Sequence, residues 1–418
     1  MSALRSLSAS SRLSDSAFRA AATLFVAAFL AISAILSFRH QGGIVFPDEH
    51  EYYELAENLV KYRMLTWDGI TPTAARPPGF VFWLAIGKAI GLGWSALVWL
   101  NALLVTAGLW VLTGAWFSAS RLWAGRAVVF ALLFCYPVSL YVTSTLYPQA
   151  FCLALIAFSL ALMMKGKVWA GALAGGLMAW CVLAAPIYAP WAGIAVLISI
   201  FHWRLRGFVS AGTFVLLFAV VIAAWGIRNE TVLGRFVPFS TNSGFNLLIG
   251  NCETTRPNAG LNIDVTKYTN EVLARKLGEA DADAFYARAA REWIAQNPAA
   301  AVSLYFQKVL NYFNFRNELV TASAASPARD AVMFLTYYAL LALLLARIVF
   351  GRASNPLEWR DWLILGGYLA CALFTSIATT RIRYRIPNDI LAMLVAAPFV
   401  ADLARFAFDR TAARFLRK

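Results

Sequence analysis

The residue types able to do chemistry gather in three places, and the first is an acidic run. In FPDEHEYYELAENLVKYRMLTWD, which begins at Phe46, six of the chain's 22 acidic residues lie between 48 and 68: Asp48, Glu49, Glu51, Glu54, Glu57 and Asp68. The run follows an apolar stretch, so Asp48 stands where the chain leaves a bilayer. A carboxylate at that boundary is half-desolvated, which raises its basicity and suits it to take a proton from a hydroxyl or to ligate a metal. The same spacing fits a plainer role. Pro47 suits the first position of a helix, and Asp48 and Glu49 its first turn, where the helix dipole favours carboxylates. Tyr52, Leu55, Ala56 and Leu59 then fall on one face, and His50 alone reads as a surface histidine.

Arginines form the second group. Arg76 precedes Pro77 and Pro78, a stiff pair that biases the residue before it toward extended backbone. It is either a turn residue or a guanidinium positioned for a phosphate or a carboxylate. Arg381, Arg383 and Arg385 lie in TTRIRYRIPND, residues 379 to 389. Arginine is always charged and grips phosphate through paired hydrogen bonds. The third group is neutral: Asn229, Ser240, Thr241, Asn242, Ser243, Asn246 and Asn251. Its amides and hydroxyls suit a ligand bearing many hydroxyls, such as a sugar, and equally suit a string of turns.

The elements that must position these groups are apolar helices. Of 418 residues, 60% are hydrophobic and 14% charged, and the mean hydropathy is +0.63, outside the composition of soluble domains. This excludes a soluble enzyme, a disordered chain and a disulfide scaffold. Cys135, Cys152, Cys181, Cys252 and Cys371 are odd in number and show no CxxC pattern. The expected fold is an all-α polytopic membrane protein. At about 20 residues per span, ten segments qualify: 20 to 38, 95 to 117, 127 to 146, 148 to 164, 168 to 184, 186 to 201, 208 to 226, 331 to 347, 361 to 380 and 386 to 404. No internal repeat or long low-complexity linker interrupts them.

Charge placement orients these spans, because Lys and Arg in short loops mark the cytoplasmic side. Arg5, Arg12, Arg19, Arg121, Arg126, Lys165, Lys167, Arg204, Arg206, Arg347, Arg352, Arg360 and a basic cytoplasmic tail from 405 to 418 fall on one side, provided 78 to 93 does not cross. That segment, interrupted by Gly87, Lys88, Gly91 and Gly93, is expected to be a helix lying in the outer interface. Two large outer loops follow, 39 to 77 and 227 to 330, within a single membrane domain covering 1 to 404. The second loop holds 11 Lys+Arg and 10 Asp+Glu. The net charge of +14 and pI of 9.8 therefore orient the chain in a membrane and do not mark a nucleic-acid surface. Within that loop, DAFYARAAREWIAQNPAAAVSLYFQKVLNYFNF reads as two amphipathic helices broken at Asn297 and Pro298. The first apolar stretch is expected to stay as an uncleaved signal-anchor, since no clean small-x-small site precedes Arg39. Arg381, Arg383 and Arg385 then lie on the outer side, against the positive-inside bias; either a bound lipid phosphate accounts for them or the count of spans is off by one.

Taken in order, PDEHEYYELAENL, ARPPGFVFWLAIGKAIG, WGIRNETVLGRFVPFSTNSGFNLLIGN and RIRYRIP resemble the GT-C glycosyltransferases over roughly residues 20 to 400. The likeness is to the bacterial branch related to protein O-mannosyltransferases and lipid A aminoarabinose transferases. It implies a GT-C-like fold and an enzyme of the bacterial inner membrane that moves a monosaccharide, with inversion, from a polyprenyl-phosphate carrier. The implied acceptor is a lipid, glycan or protein on the outer side. Residue by residue, the resemblance implies Asp48 as base with Glu49 as second acid, near Tyr52 on the same helix, and Arg76 in an Arg-Pro-Pro turn. It implies Arg383, Tyr384 and Arg385 facing the lipid phosphate, and the segment 240 to 251, with Asn242, Asn246 and Asn251, enclosing the substrate. Two departures bear on it. TSTLYPQAF, with Tyr147, Pro148 and Gln149, has no carboxylate where many relatives carry an acid that helps hold a divalent metal, so a metal is left open. Ala185 and Pro186 stand where relatives often show Arg-Pro.

No P-loop or GxGxxG follows a strand, in keeping with a lipid-linked donor, because nucleotide sugars are not available outside the cytoplasmic membrane. Two other readings stand beside the enzyme. One is a polytopic transporter or lipid flippase, against which the scarcity of ionisable residues inside the spans counts. The other is an inactive scaffold of the same fold, which the missing acid near Gln149 would explain.

Overall fold

Backbone inside a bilayer has no water to bond, so apolar runs must close their hydrogen bonds within helices. The structure, a computed structural model, describes residues 2–39, 47–258, 262–316, 326–351 and 355–415, excepting the side chains of 2–14, 47 and 408–415. Arg352, Arg417 and Lys418 lie outside the described residues, as do the side chains of Arg5, Arg12, Arg410 and Arg414. In chain order the helices are α1 (Ser2–Arg39), α2 (Pro47–Tyr62), α3 (Pro78–Ala89), α4 (Trp94–Trp116), α5 (Leu122–Cys135) and α6 (Pro137–Thr143). Then come α7 (Pro148–Met163), α8 (Val168–Ala184), α9 (Pro190–Trp203), α10 (Leu205–Leu233), α11 (Ser243–Gly250) and α12 (Thr266–Ala274). The last are α13 (Glu279–Gln296), α14 (Pro298–Tyr312), α15 (Pro327–Phe350), α16 (Trp359–Thr375) and α17 (Ile382–Phe415). No strand occurs among the described residues, which hold one isolated bridge, Thr66 to Pro72.

Among the described residues, six stretches are long and apolar enough to cross a membrane: Asp15–Arg39, Trp94–Trp116, Pro186–Trp203, Leu205–Leu233, Pro327–Phe350 and Ile382–Ala407. A seventh forms if α5 and α6, bent by 78° at their junction, count as one. The chain is thus an all-α, multi-pass membrane protein. The other expected spans correspond to shorter helices: α7 with 16 residues, and α8 and α16 with 17 each. Helix α7 buries 14 of its 16 residues, so it meets protein on all sides, as a helix that is apolar all round must. Helices α8 and α10 approach closely at Gly171 and Gly175, where a Cβ would collide with the backbone of Ser210 and Phe214; small residues four apart allow this contact. The far face of α10 leaves Phe208, Leu216, Val220 and Ile227 exposed.

Three expectations need correction. The segment 78 to 93 is helical only over Pro78–Ala89, and one face of that helix is packed into the protein. Phe80, Val81 and Leu84 are fully buried, and Trp180 of α8 donates its indole N–H to the Gly79 carbonyl at 2.7 Å. The boundary at 404 and 405 falls inside α17, which runs on to Phe415. The apolar helices are also not as free of charge as the sequence implied: Arg385 pairs with Asp389 at 3.0 Å and Arg347 with Asp361 at 2.6 Å, all four side chains buried.

Candidate functional site: a carboxylate between two arginines

The acidic run folds as expected from its first residues. Helix α2 starts at Pro47 and places Asp48 and Glu49 in its first turn. It buries Tyr52, Leu55 and Ala56, which turns Asp48 toward the rest of the protein. There two arginines from distant parts of the chain meet it. Arg76 donates from Nη2 to Asp48 Oδ1 at 2.8 Å, and Arg383 donates from Nη2 to Asp48 Oδ2 at 2.8 Å. Their side chains are 17% and 20% exposed and that of Asp48 19%, so the cluster is screened but open. Arg76 also pairs with Glu51 and lies over the Tyr52 ring. Arg383 is flanked by Tyr147, whose ring centre is 4.4 Å away, and by Tyr384 at 5.6 Å.

The electrostatics reverse one expectation. Burial alone would raise the Asp48 carboxyl, but the guanidinium groups of Arg383 and Arg76 outweigh it and hold the group below the ordinary carboxylate value. In this arrangement Asp48 is a weaker base than a solvated aspartate. Burial pushes the Tyr52 phenol the other way, upward. The Nε atoms of Arg381 and Arg383 are buried with no hydrogen-bond partner among the described residues, as are Arg347 Nε, Arg385 Nη2 and Arg405 Nε away from this cluster.

Other expected site residues lie elsewhere. Glu49 is 1% exposed and accepts the Leu146 backbone N–H at 2.7 Å, so it anchors α2 to the turn between α6 and α7. Arg385 does not join Asp48. It is sealed among α14 to α17, donating to Asp389 and to the Tyr312 and Asn314 carbonyls at 2.7 Å each, with Tyr337 stacked on it. Tyr136 and Tyr368 complete that network by donating to Asp389 at 2.7 and 2.6 Å. The asparagines serve backbone groups. Asn246 donates to the Asn242 carbonyl at 2.7 Å, and Asn251 to the Leu247 and Ile377 carbonyls at 2.9 and 2.8 Å. Asn251 thus has both its amide N–H groups and its oxygen engaged within the protein.

Two residues that sequence reasoning missed hold the arginine-bearing segments. Glu279, at the start of α13, accepts from Thr73 Oγ1 at 2.6 Å, from the Ala74 N–H at 2.8 Å, and from Thr241 Oγ1. Lys308 of α14, 1% exposed, donates to the Gly250, Ala378 and Ile377 carbonyls at 2.8, 3.0 and 3.4 Å and to Asn251 Oδ1 at 3.2 Å. Burial pulls its pKa down to about 8. The only sequence signal was a carboxylate in a first helical turn and a lysine on an apolar helix face.

A divalent metal does not fit this donor set. The nearest charged neighbours of Asp48 are guanidinium groups, which repel a cation, and Tyr147, Pro148 and Gln149 occupy the α6–α7 turn. No group of three His, Cys, Asp or Glu suited to a metal occurs among the described residues. No protein-family model, curated protein or solved structure matches the chain.

Proposed function

We propose that this chain is an inverting glycosyltransferase of GT-C-like architecture, which moves a monosaccharide from a polyprenyl-phosphate carrier to an acceptor at the outer face of a bacterial inner membrane. In this reading α7, α8 and α16 join the longer helices to make ten spans, both termini are cytoplasmic, and α2, α3 and α11 to α14 lie outside. The acceptor is a lipid, glycan or protein hydroxyl, and nucleic acid plays no part. The observation that carries the reading is the carboxylate of Asp48 held between Arg76 and Arg383, with spare guanidinium N–H groups on Arg381 and Arg383. Arginines gathered on one carboxylate, one of them with an unpartnered Nε, suit a receptor for phosphate.

The same geometry gives Asp48 a conditional role. A donor phosphate competes with Asp48 for the two guanidinium groups, and as they turn toward it the carboxylate regains its basicity. Asp48 then takes the proton of the acceptor hydroxyl. The acceptor oxygen bonds to the anomeric carbon from the face opposite the phosphate, and the carbon–oxygen bond to phosphate breaks. Its electron pair leaves with the polyprenyl phosphate, whose charge Arg383 and Arg76 hold. A single displacement of this kind inverts the anomeric centre. Glu49 contributes by fixing α2, and Arg385 by fixing α17.

The test uses wild type, Asp48→Asn and Arg383→Gln in nanodiscs with a panel of polyprenyl-phosphate sugars and acceptors, following free polyprenyl phosphate by mass spectrometry. Release by wild type and its loss in both variants is expected. Silence of folded wild type across broad donor and acceptor sets would overturn the enzyme reading, and substrate movement across vesicles by the same protein would establish a transporter or flippase instead.

A further inference from the structure

Each arginine that holds Asp48 sits a few residues from a charged group of the 227 to 330 region. On one side, both oxygens of Glu279 are taken up by Thr73, Ala74 and Thr241, and Arg228 adds a bond from Nη1 to the Thr73 carbonyl at 3.0 Å. Thr73 and Ala74 lead directly into Arg76 and the stiff Pro77–Pro78 pair. On the other side, Lys308 gathers four oxygens, two of them the Ile377 and Ala378 carbonyls that follow α16 just ahead of Arg381 and Arg383. Gly250 lies so close to the Ala378 carbonyl that a Cβ there would collide with it.

Glu279 and Lys308 also belong to one piece of structure. Helices α13 and α14 are separated by Asn297 alone. Helix α11 is tied to α13 where the Gly244 N–H donates to Asp283 at 2.6 Å, and the piece has its own small core of Leu248, Ile249, Cys252, Ile263, Val265 and Ala290. A charge at each end, one carboxylate and one ammonium, therefore grips the two segments that must stay in register for both guanidinium groups to reach one carboxylate.

We propose that α11 to α14 form a two-point clamp that fixes the spacing between Arg76 and Arg383, with Glu279 and Lys308 as its positioning residues. The clamp rests on the anion-site reading for its purpose, since the spacing it fixes is that of the phosphate-binding pair. Charged hydrogen bonds suit this task because they are short and directional, and at Lys308 burial also keeps water from replacing them. Release of either grip lets one arginine drift from the other, with Asp48 retaining a single partner.

The experiment places spin labels at Ile70 and Ile377, which are 82% and 51% exposed, in the full chain carrying Cys135→Ser, and measures the label separation by pulsed electron resonance. A narrow distribution is expected for the unaltered clamp and a broader or longer one for Glu279→Gln and for Lys308→Met. Asp281→Asn, in the same helical turn but paired with Arg235 at the surface, should leave the distribution unchanged. Thr241→Val removes one donor while keeping the carboxylate, and gives a smaller shift of the same kind if a charge-removing variant fails to fold. Binding of polyprenyl phosphate, the probe, should weaken about tenfold in the clamp variants. An unchanged separation in folded variants overturns the clamp, and so does a widened separation with undiminished probe binding. If folded wild type does not bind the probe at all, the phosphate reading falls and the separation alone decides the clamp.

Discussion

Arg383 and Arg385 stand two residues apart on α17 and do opposite things. Two positions on a helix differ by about 200° around its axis, so one guanidinium turns to Asp48 and the other into the packing of α14, α15 and α16. Each has one unpartnered nitrogen, Nε in Arg383 and Nη2 in Arg385, but Arg383 is 20% exposed and Arg385 is wholly buried, with Asp389 and two carbonyls as acceptors. The first arrangement can exchange its partner for an incoming anion. The second cannot release its partner without leaving a charge in an apolar interior. One short sequence thus supplies both a half-buried charge on Asp48 and the anchor that keeps it in place.

The largest effect expected from this contrast is on stability. Arg385→Met should destabilise the protein by about 3–5 kcal/mol, because it strands Asp389 as an unpaired buried carboxylate, and thermal unfolding in detergent reads the loss. Adding Asp389→Leu should recover a large part of it. If Arg385→Met unfolds like wild type, the anchor role is lost.

Arg383→Gln should divide the other way. Release of polyprenyl phosphate is expected to fall about 10²- to 10³-fold, as when a preorganised donor to a developing charge is removed, with stability within about 1 kcal/mol of wild type. A kinetic comparison of the two single variants sharpens the contrast, since only Arg383→Gln should lose turnover while keeping its melting temperature.

Asp48 provides a pH test. Its folded-state pKa lies below the ordinary 3.8, with burial opposing and Arg383 and Arg76 outweighing it. Its contribution to stability is therefore fully present above 3.8 and is lost as pH falls through the folded value. Melting scans of wild type and Asp48→Asn should stay a constant distance apart from neutral pH down to 5 and converge only below 3.8. Convergence at a higher pH would show that the arginines do not hold the carboxylate. The smallest effect belongs to Asn246→Ala, which removes one bond to the Asn242 carbonyl and should cost about 0.5–1.5 kcal/mol with no change in binding of polyprenyl phosphate.

Local signals in the sequence were reliable where the physics is local. Pro47 with Asp48 and Glu49 announced the start of α2, Asn297–Pro298 announced the break between α13 and α14, and apolar runs announced the membrane helices. Asp48, Arg76 and Arg383 were each visible as candidates, but their meeting depends on contacts 28 and 335 residues apart. The Arg-Tyr-Arg spacing was read as one functional pair, whereas a helix starting at Ile382 sends its two arginines to different faces. Glu279 and Lys308 stayed hidden for a related reason: their partners lie as far as 206 and 70 residues away and are largely backbone or hydroxyl groups, which leave no complementary charge to find. The amide-rich 240 to 251 segment suited both turns and a ligand, and the structure uses Asn246 and Asn251 for the backbone.

The Arg385 network also has a consequence for the order in which the protein comes into being. Tyr136, Tyr312 and Tyr368 are all synthesised before α17, and they wait for it: the phenols of Tyr136 and Tyr368 for Asp389, and the carbonyl of Tyr312 for Arg385. Chains are made from the N-terminus onward, so every nascent intermediate short of α17 lacks these partners, with Tyr368 limited to the Tyr337 hydroxyl at 3.3 Å, and lacks Arg383 as well. Arrival of a single late helix satisfies the interior and completes the Asp48 cluster together. A chain in which Asp48 holds both of its arginines is therefore, by construction, one whose interior has finished packing.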